Sequence, residues 1–185
     1  MNQGNGTVDE QEQHQSVAVG SERTIEQDPA FVFRIIVDIA IRALSPAIND
    51  PTTAVSGIDQ IHRLLRVLAA RDLGDGRVRD RAGRLCVVFP TPDWEDFVKL
   101  GVTEIRQYGA GSIQVVRRLR AMLENLTEAV PPNRRPVLRQ QLNLLDRTVE
   151  NHFPEPNEQA LGKMADYQGI GGSPSSHLEN GGGKA

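Results

Sequence analysis

Residues 112–130 read SIQVVRRLRAMLENLTEAV, and this stretch decides the fold. Val116, Leu119, Leu123, Leu126 and Val130 follow at alternating steps of three and four, which keeps them on one side of an α-helix. Ser112 stands where an N-cap is wanted, at the end of YGAGS, in which Gly109 ends the preceding helix. Downstream, PPNRRP turns the chain, and Leu138, Leu142, Leu145 and Val149 repeat the spacing. Two such seams joined by a short turn predict an antiparallel αα-hairpin.

Upstream the same logic gives three more helices. Asp28 and Pro29 supply a cap and a first helical residue. Phe31, Val32, Ile35, Ile36, Ile39 and Ala40 then leave the first helix apolar on most sides, which predicts a central position. At SPAINDPTT (45–53), Pro46 ends this helix, while Asp50 caps the second and Pro51 opens it. Val55, Ile58, Ile61, Leu65 and Leu68 form the second helix's apolar face before GDG stops it. In RVRDRAGRLCVVFP (77–90), Leu85, Val87 and Phe89 alternate around a turn at DRAG, predicting a short β-hairpin. A lone hairpin is marginally stable, so it is expected to lie on the helices, with Cys86 packed as a small apolar residue. TPDW opens a helix with Trp94, Phe97, Val98, Gly101 and Ile105 inward, and a last short helix surrounds Ala160, Leu161 and Met164. The predicted fold is mainly α: a five to six helix bundle with a β-hairpin insertion. It forms a single helical domain over 24–169, between a disordered leader (1–23) and a disordered tail (170–185).

A chain of 185 residues is long enough for one domain with a real core. Its formal charge of −3 provides no global positive field for nucleic acid. One cysteine excludes an internal disulfide and any multi-cysteine metal site. The most apolar stretch, FVFRIIVDIAIRAL, carries Arg34, Asp38 and Arg42, and such charges are costly at a bilayer centre. The expectation is a soluble, cytoplasmic chain without a transmembrane segment, membrane-associated only through a partner.

Two places invite a small anion. Arg34, Asp38 and Arg42 fall four apart on one helix stripe, as a partly buried ion network that orients this helix against its neighbours or as a clamp with donors to spare. At the second helix start, Asn49 suits a turn, and Thr52 and Thr53 present hydroxyls beside unpaired backbone N–H groups. Asp50 already supplies a carboxylate there, so a capping joint outweighs a ligand site. Arg106 and Tyr108 precede the YGAGS break and are candidates to line a pocket, although the break lacks phosphate-loop spacing. Arg117, Arg118, Arg120, Arg134 and Arg135 read as a solvated basic face compensated by Glu124 and Glu128. Asp59 and His62, one turn apart, read as ordinary helix surface rather than as metal ligands. The sequence offers no catalytic residue set, no metal site and no cofactor motif.

The phrases ALSPAINDPTTA (43–54) and IRQYG (105–109), within the longer stretches 23–55 and 84–119, resemble a bacterial family. It is the C-terminal region of predicted membrane proteins grouped as domain of unknown function 2254. The resemblance runs from about Arg23 to Gly171. It implies longer proteins with transmembrane helices and a small β-rich segment ahead of this region, in place of the polar leader here. It also implies a domain that works beside a membrane, and it transfers no activity or catalytic residue. The expected function is a non-enzymatic helical module for self-assembly or docking to a membrane protein. The alternative is a regulatory domain binding a small anion or nucleotide.

Overall fold

The αα-hairpin forms where the spacing predicts it, as α4 (Ile113–Ala129) and α5 (Arg135–His152), joined through a 3-10 turn at Pro132–Arg134. A computed structural model describes residues 29–166. The other elements are α1 (Pro29–Ala43), α2 (Pro51–Ala69), β1 (Arg77–Arg79), β2 (Leu85–Val88), α3 (Trp94–Tyr108) and α6 (Pro156–Gly162). Among the described residues the fold is therefore a six-helix arrangement with one antiparallel hairpin, as expected. The leader, the tail and Asp28 lie outside the described residues.

Leu119, Leu123 and Leu126 of α4 and Leu138, Leu145 and Val149 of α5 are all fully buried. Each such side chain contributes about 1.5–3 kcal/mol of transfer free energy. Around this pair, α2 packs on α4, α3 packs on α5, and α1 lies across α2 and α3. Small residues set these approaches. A Cβ on Gly57 would stand 3.2 Å from Ala40 Cβ, and one on Gly101 would stand 2.8 Å from Ile61 Cγ2.

Hydrophobicity misassigns the central helix. Phe33, Val37 and Ala40 of α1 are buried, with Phe33 5.3 Å from the Phe97 ring. Ile35 and Ile39, however, are 39% and 50% exposed, so α1 is peripheral. The central helix is α4, where Val115, Val116 and every residue from Arg118 to Leu123 are buried. Its arginines enter the interior because acids on neighbouring helices meet them.

The joint at 45–53 is a capping device. Asp50 N–H donates to Ala43 O at 2.7 Å, closing the end of α1. The Asp50 carboxylate accepts from Thr53 N–H at 3.1 Å and Thr53 Oγ1 at 2.5 Å, with Pro51 at the first helical position. Asn49 takes φ +48, a left-handed conformation that Asn tolerates better than most residues. Pro46 sits in the turn that follows α1. Ser112 occupies the N-cap position of α4 without a side-chain cap bond, so its expected role is positional only. Gly109 is the C-cap of α3, and a Cβ there would meet Val115 Cγ1 at 2.4 Å and Ile105 O at 2.8 Å. Asp93 caps α3 in a reciprocal box with Asp96.

The hairpin pairs Arg77 with Val88, Val78 with Val87 and Arg79 with Leu85, with a bulge between Val78 and Arg79. Its turn is held by Asp80, whose carboxylate accepts from the N–H groups of Ala82 and Arg84 at 2.9 Å each. Contrary to expectation, it does not bury itself on the helices: every residue of both strands is exposed, Cys86 included. Gly76, at φ +66, comes so close to the other leg that a Cβ would fall 2.0 Å from Phe89 O. Pro90 and Pro92 stiffen that other leg.

Candidate functional site

Among the described residues, the seven candidate ligand contacts Arg34, Arg42, Asn49, Thr52, Thr53, Arg106 and Tyr108 line no common groove. Arg34, Asp38 and Arg42 are exposed, and no ion pair or hydrogen bond links them among the described residues, so the expected network is absent there. Asn49, Thr52 and Thr53 sit at the joint, where Thr53 is committed to Asp50. The donating Thr53 hydroxyl and amide hold the Asp50 carboxyl below the usual carboxylate range. Arg106 donates to Thr148 Oγ1 at 3.1 Å, and burial pushes the Arg106 pKa down. Tyr108, two residues on, is 59% exposed. The grooves that carry Arg34 are lined by none of the other six.

The structure instead gathers a polar cluster between α2 and α4 that sequence reading placed on the surface. Asp59, His62 and Arg118 are 6%, 3% and 2% exposed. Arg118 Nε donates to Asp59 Oδ1 at 2.5 Å, and Arg118 Nη2 donates to His62 Nδ1 at 3.3 Å. His62 Nε2 donates to Asn125 Oδ1 at 2.9 Å, and Arg66 Nη1 donates to the same oxygen at 3.0 Å. These partners fix the tautomer. A guanidinium only donates, so Nδ1 must accept and the ring is neutral with its proton on Nε2. Burial is the main cause that lowers the His62 pKa, assisted by Arg118 and Arg66 and opposed by Asn125 and Asp59.

A signal for the cluster was present. Asp59, His62 and Arg66 step by three and four along α2, and Arg118 and Asn125 lie two turns apart on α4. Asp59, His62 and Arg118 are buried, while Asn125 is half-buried and Arg66 is exposed at the cluster's edge, and no set of three metal-ligating side chains exists among the described residues.

The supposed basic face is likewise spent on structure. Arg120 pairs with Asp146 of α5, lies 3.8 Å from Glu124, and donates to Gly162 O at 3.4 Å. Arg134 donates to Leu68 O, Ala69 O and Arg71 O at 2.7–2.9 Å, closing the C-terminus of α2. Its guanidinium also lies 5.4 Å from the centre of the Trp94 ring. Arg135 and Arg117 donate to Val130 O and Met164 O, both at 3.2 Å.

The open surface includes apolar grooves. A groove of about 650 Å³ is walled by Arg34, Leu68, Leu73, Phe89, Pro92 and Phe97, and a second of about 410 Å³ adjoins it through shared residues. The outer side of α1 adds Ile35 and Ile39, and Ile48 follows at 61% exposure. No helix among the described residues is long and apolar enough to cross a membrane.

These open apolar surfaces belong to a chain whose residues 2–125 match a family described as predicted membrane protein, DUF2254. The chain belongs to the DUF2254 family. The match spans α1, α2, the hairpin, α3 and most of α4, and it ends at Asn125 of the buried cluster. Among curated proteins, the uncharacterised proteins Mb1321c of Mycobacterium bovis and Rv1290c of Mycobacterium tuberculosis are each 38% identical over 146 residues. That alignment covers 78% of this chain but only 28% of each relative's length. No solved structure matches this DUF2254 chain.

Proposed function

We propose that this chain is a non-enzymatic helical docking module that works on the cytoplasmic side of a membrane. It docks through the outer face of α1 to a membrane-protein partner or to a second copy of itself. One observation carries the reading: Ile35, Ile39 and Ile48 are exposed on or just after α1, whereas Leu119, Leu123, Leu126, Leu138 and Leu145 are fully buried. Arg34, Asp38 and Arg42 flank them, a polar rim around an apolar centre of the kind interfaces use. The predicted-membrane description of the family, and relatives far longer than the aligned stretch, support a partner at a membrane.

The test has two arms. Sedimentation equilibrium over rising concentration reads self-association, and co-purification with the co-expressed membrane portion of a DUF2254 protein reads docking. One arm should succeed, and the exposed pair Ile35→Asp/Ile39→Asp should abolish it while leaving the unfolding midpoint nearly unchanged. A strictly monomeric chain that retains no membrane portion overturns the reading. The anion-binding alternative has weaker support, because Asp50 fills the α2 N-terminus and engages Thr53.

A further inference from the structure

The hairpin carries two properties that helical packing does not use. Val78, Leu85, Val87 and Val88 are 48–63% exposed on a two-stranded ribbon. Arg77, Arg79, Arg81 and Arg84 share that ribbon and its turn, against Asp75 and Asp80 alone, so residues 75–88 carry +2 in a chain of −3. Arg84 is held by Asp80 at 2.8 Å and Arg77 lies 3.8 Å from Asp75, whereas Arg81 has no partner among the described residues.

We propose that this hairpin is a lipid anchor that seats on an anionic bilayer surface. The apolar side chains enter the headgroup–acyl boundary, and the arginines meet lipid phosphates. Charge favours this occupant over a hairpin-to-hairpin contact with a second copy, which would bring the same positive charge. Depth follows from hydrogen bonding. The outer strand edges keep unpaired N–H and C=O groups, which hydrocarbon would not satisfy, so the ribbon stops at the interface. The proposal goes beyond docking through α1 and uses a different surface.

The native chain contains one cysteine, exposed Cys86 in β2, which places a fluorophore on the ribbon without mutation. Vesicles of phosphatidylcholine with one-third phosphatidylglycerol should shift the emission of an environment-sensitive label at Cys86 to the blue. They should also sediment the unlabelled chain, with binding that weakens as salt rises. Pure phosphatidylcholine should do neither. Arg79→Gln/Arg81→Gln should weaken partitioning about thirtyfold, the effect of two charges near such a surface. Val87→Ser/Val88→Ser should remove the emission shift, whereas Ile35→Asp/Ile39→Asp should leave vesicle binding intact and so separate this proposal from the docking reading. Three results would overturn it: no vesicle binding, equal binding to both vesicle types, or binding indifferent to the hairpin variants. Lipid-free self-association that depends on Val87 and Val88 would assign the ribbon to a second copy and overturn it too.

Discussion

The α2–α4 seam and the β-hairpin invert the usual placement of side chains in opposite senses. The seam draws Asp59, His62 and Arg118 into the interior, while the hairpin leaves Val78, Leu85, Val87 and Val88 in water. In the seam each polar group finds a partner on the facing helix, so burial is compatible with charge. The hairpin's valines are about half exposed, so that apolar surface remains to be covered. The bundle is thus complete around its polar centre and incomplete at its rim. That asymmetry is what a module built to be docked would show.

Breaking the seam should produce the largest effect. Asp59→Ala leaves Arg118 buried without its carboxylate, and loss of one partner of a buried pair costs about 3–5 kcal/mol. Urea unfolding should register that loss. The double variant Asp59→Leu/Arg118→Met should recover much of it, because both desolvated charges are then gone. Equal losses in single and double variants would mean that the pair itself, rather than an orphaned charge, sets the stability.

The same contrast explains what could be read from sequence. Seam spacing in α4 and α5 and the cap at Asp50 were legible, because they depend on residues within a turn or two of each other. The roles of Arg118, Arg120 and Arg134 were not, since each is decided by atoms across the bundle: Asp59, Asp146 and the carbonyl end of α2. An arginine beside a leucine seam looks solvated until a carboxylate appears opposite. For the same reason the most hydrophobic helix, α1, looked central although α4 is. The alternating apolar residues of the hairpin were read correctly as strand and wrongly as buried. Period-two patterning identifies a face without showing that anything covers it.

A smaller loss should follow from crowding the close approach that sets α3 against α2 and α1. Gly101→Ala puts a methyl group 2.8 Å from Ile61 Cγ2 and 3.5 Å from Phe33, and overpacking of this kind costs about 1–3 kcal/mol. Thermal unfolding measures it, and Ile61→Val in the same chain should relieve part of the strain. Asp93→Ala, which removes the capping box of α3, should cost about 1 kcal/mol without changing any buried contact.

His62 adds a gentler, conditional probe of the seam. Its folded pKa lies below the unfolded value of about 6.5, so between those two values the unfolded chain binds more protons. Stability from this group is therefore full above about pH 6.5 and declines as pH falls toward the lowered folded pKa. Protonating Nδ1 would remove the acceptor for Arg118 and set an imidazolium against two guanidinium groups, while Asp59 and Asn125 act in the other direction. Unfolding midpoints measured from pH 7.5 down to 5 should show this slope, and His62→Gln should flatten it.

The smallest effect on stability belongs to the hairpin, and its smallness is informative. Val87→Ser and Val88→Ser remove apolar groups that the fold leaves about half in water, so the unfolding free energy should move by no more than about 0.5 kcal/mol. A loss several times larger would mean that the ribbon packs more firmly in solution than its exposure implies, and the contrast with the seam would collapse. A negligible loss would mean that these valines are not there to hold the chain together. Their use would then lie in what the ribbon touches outside the chain.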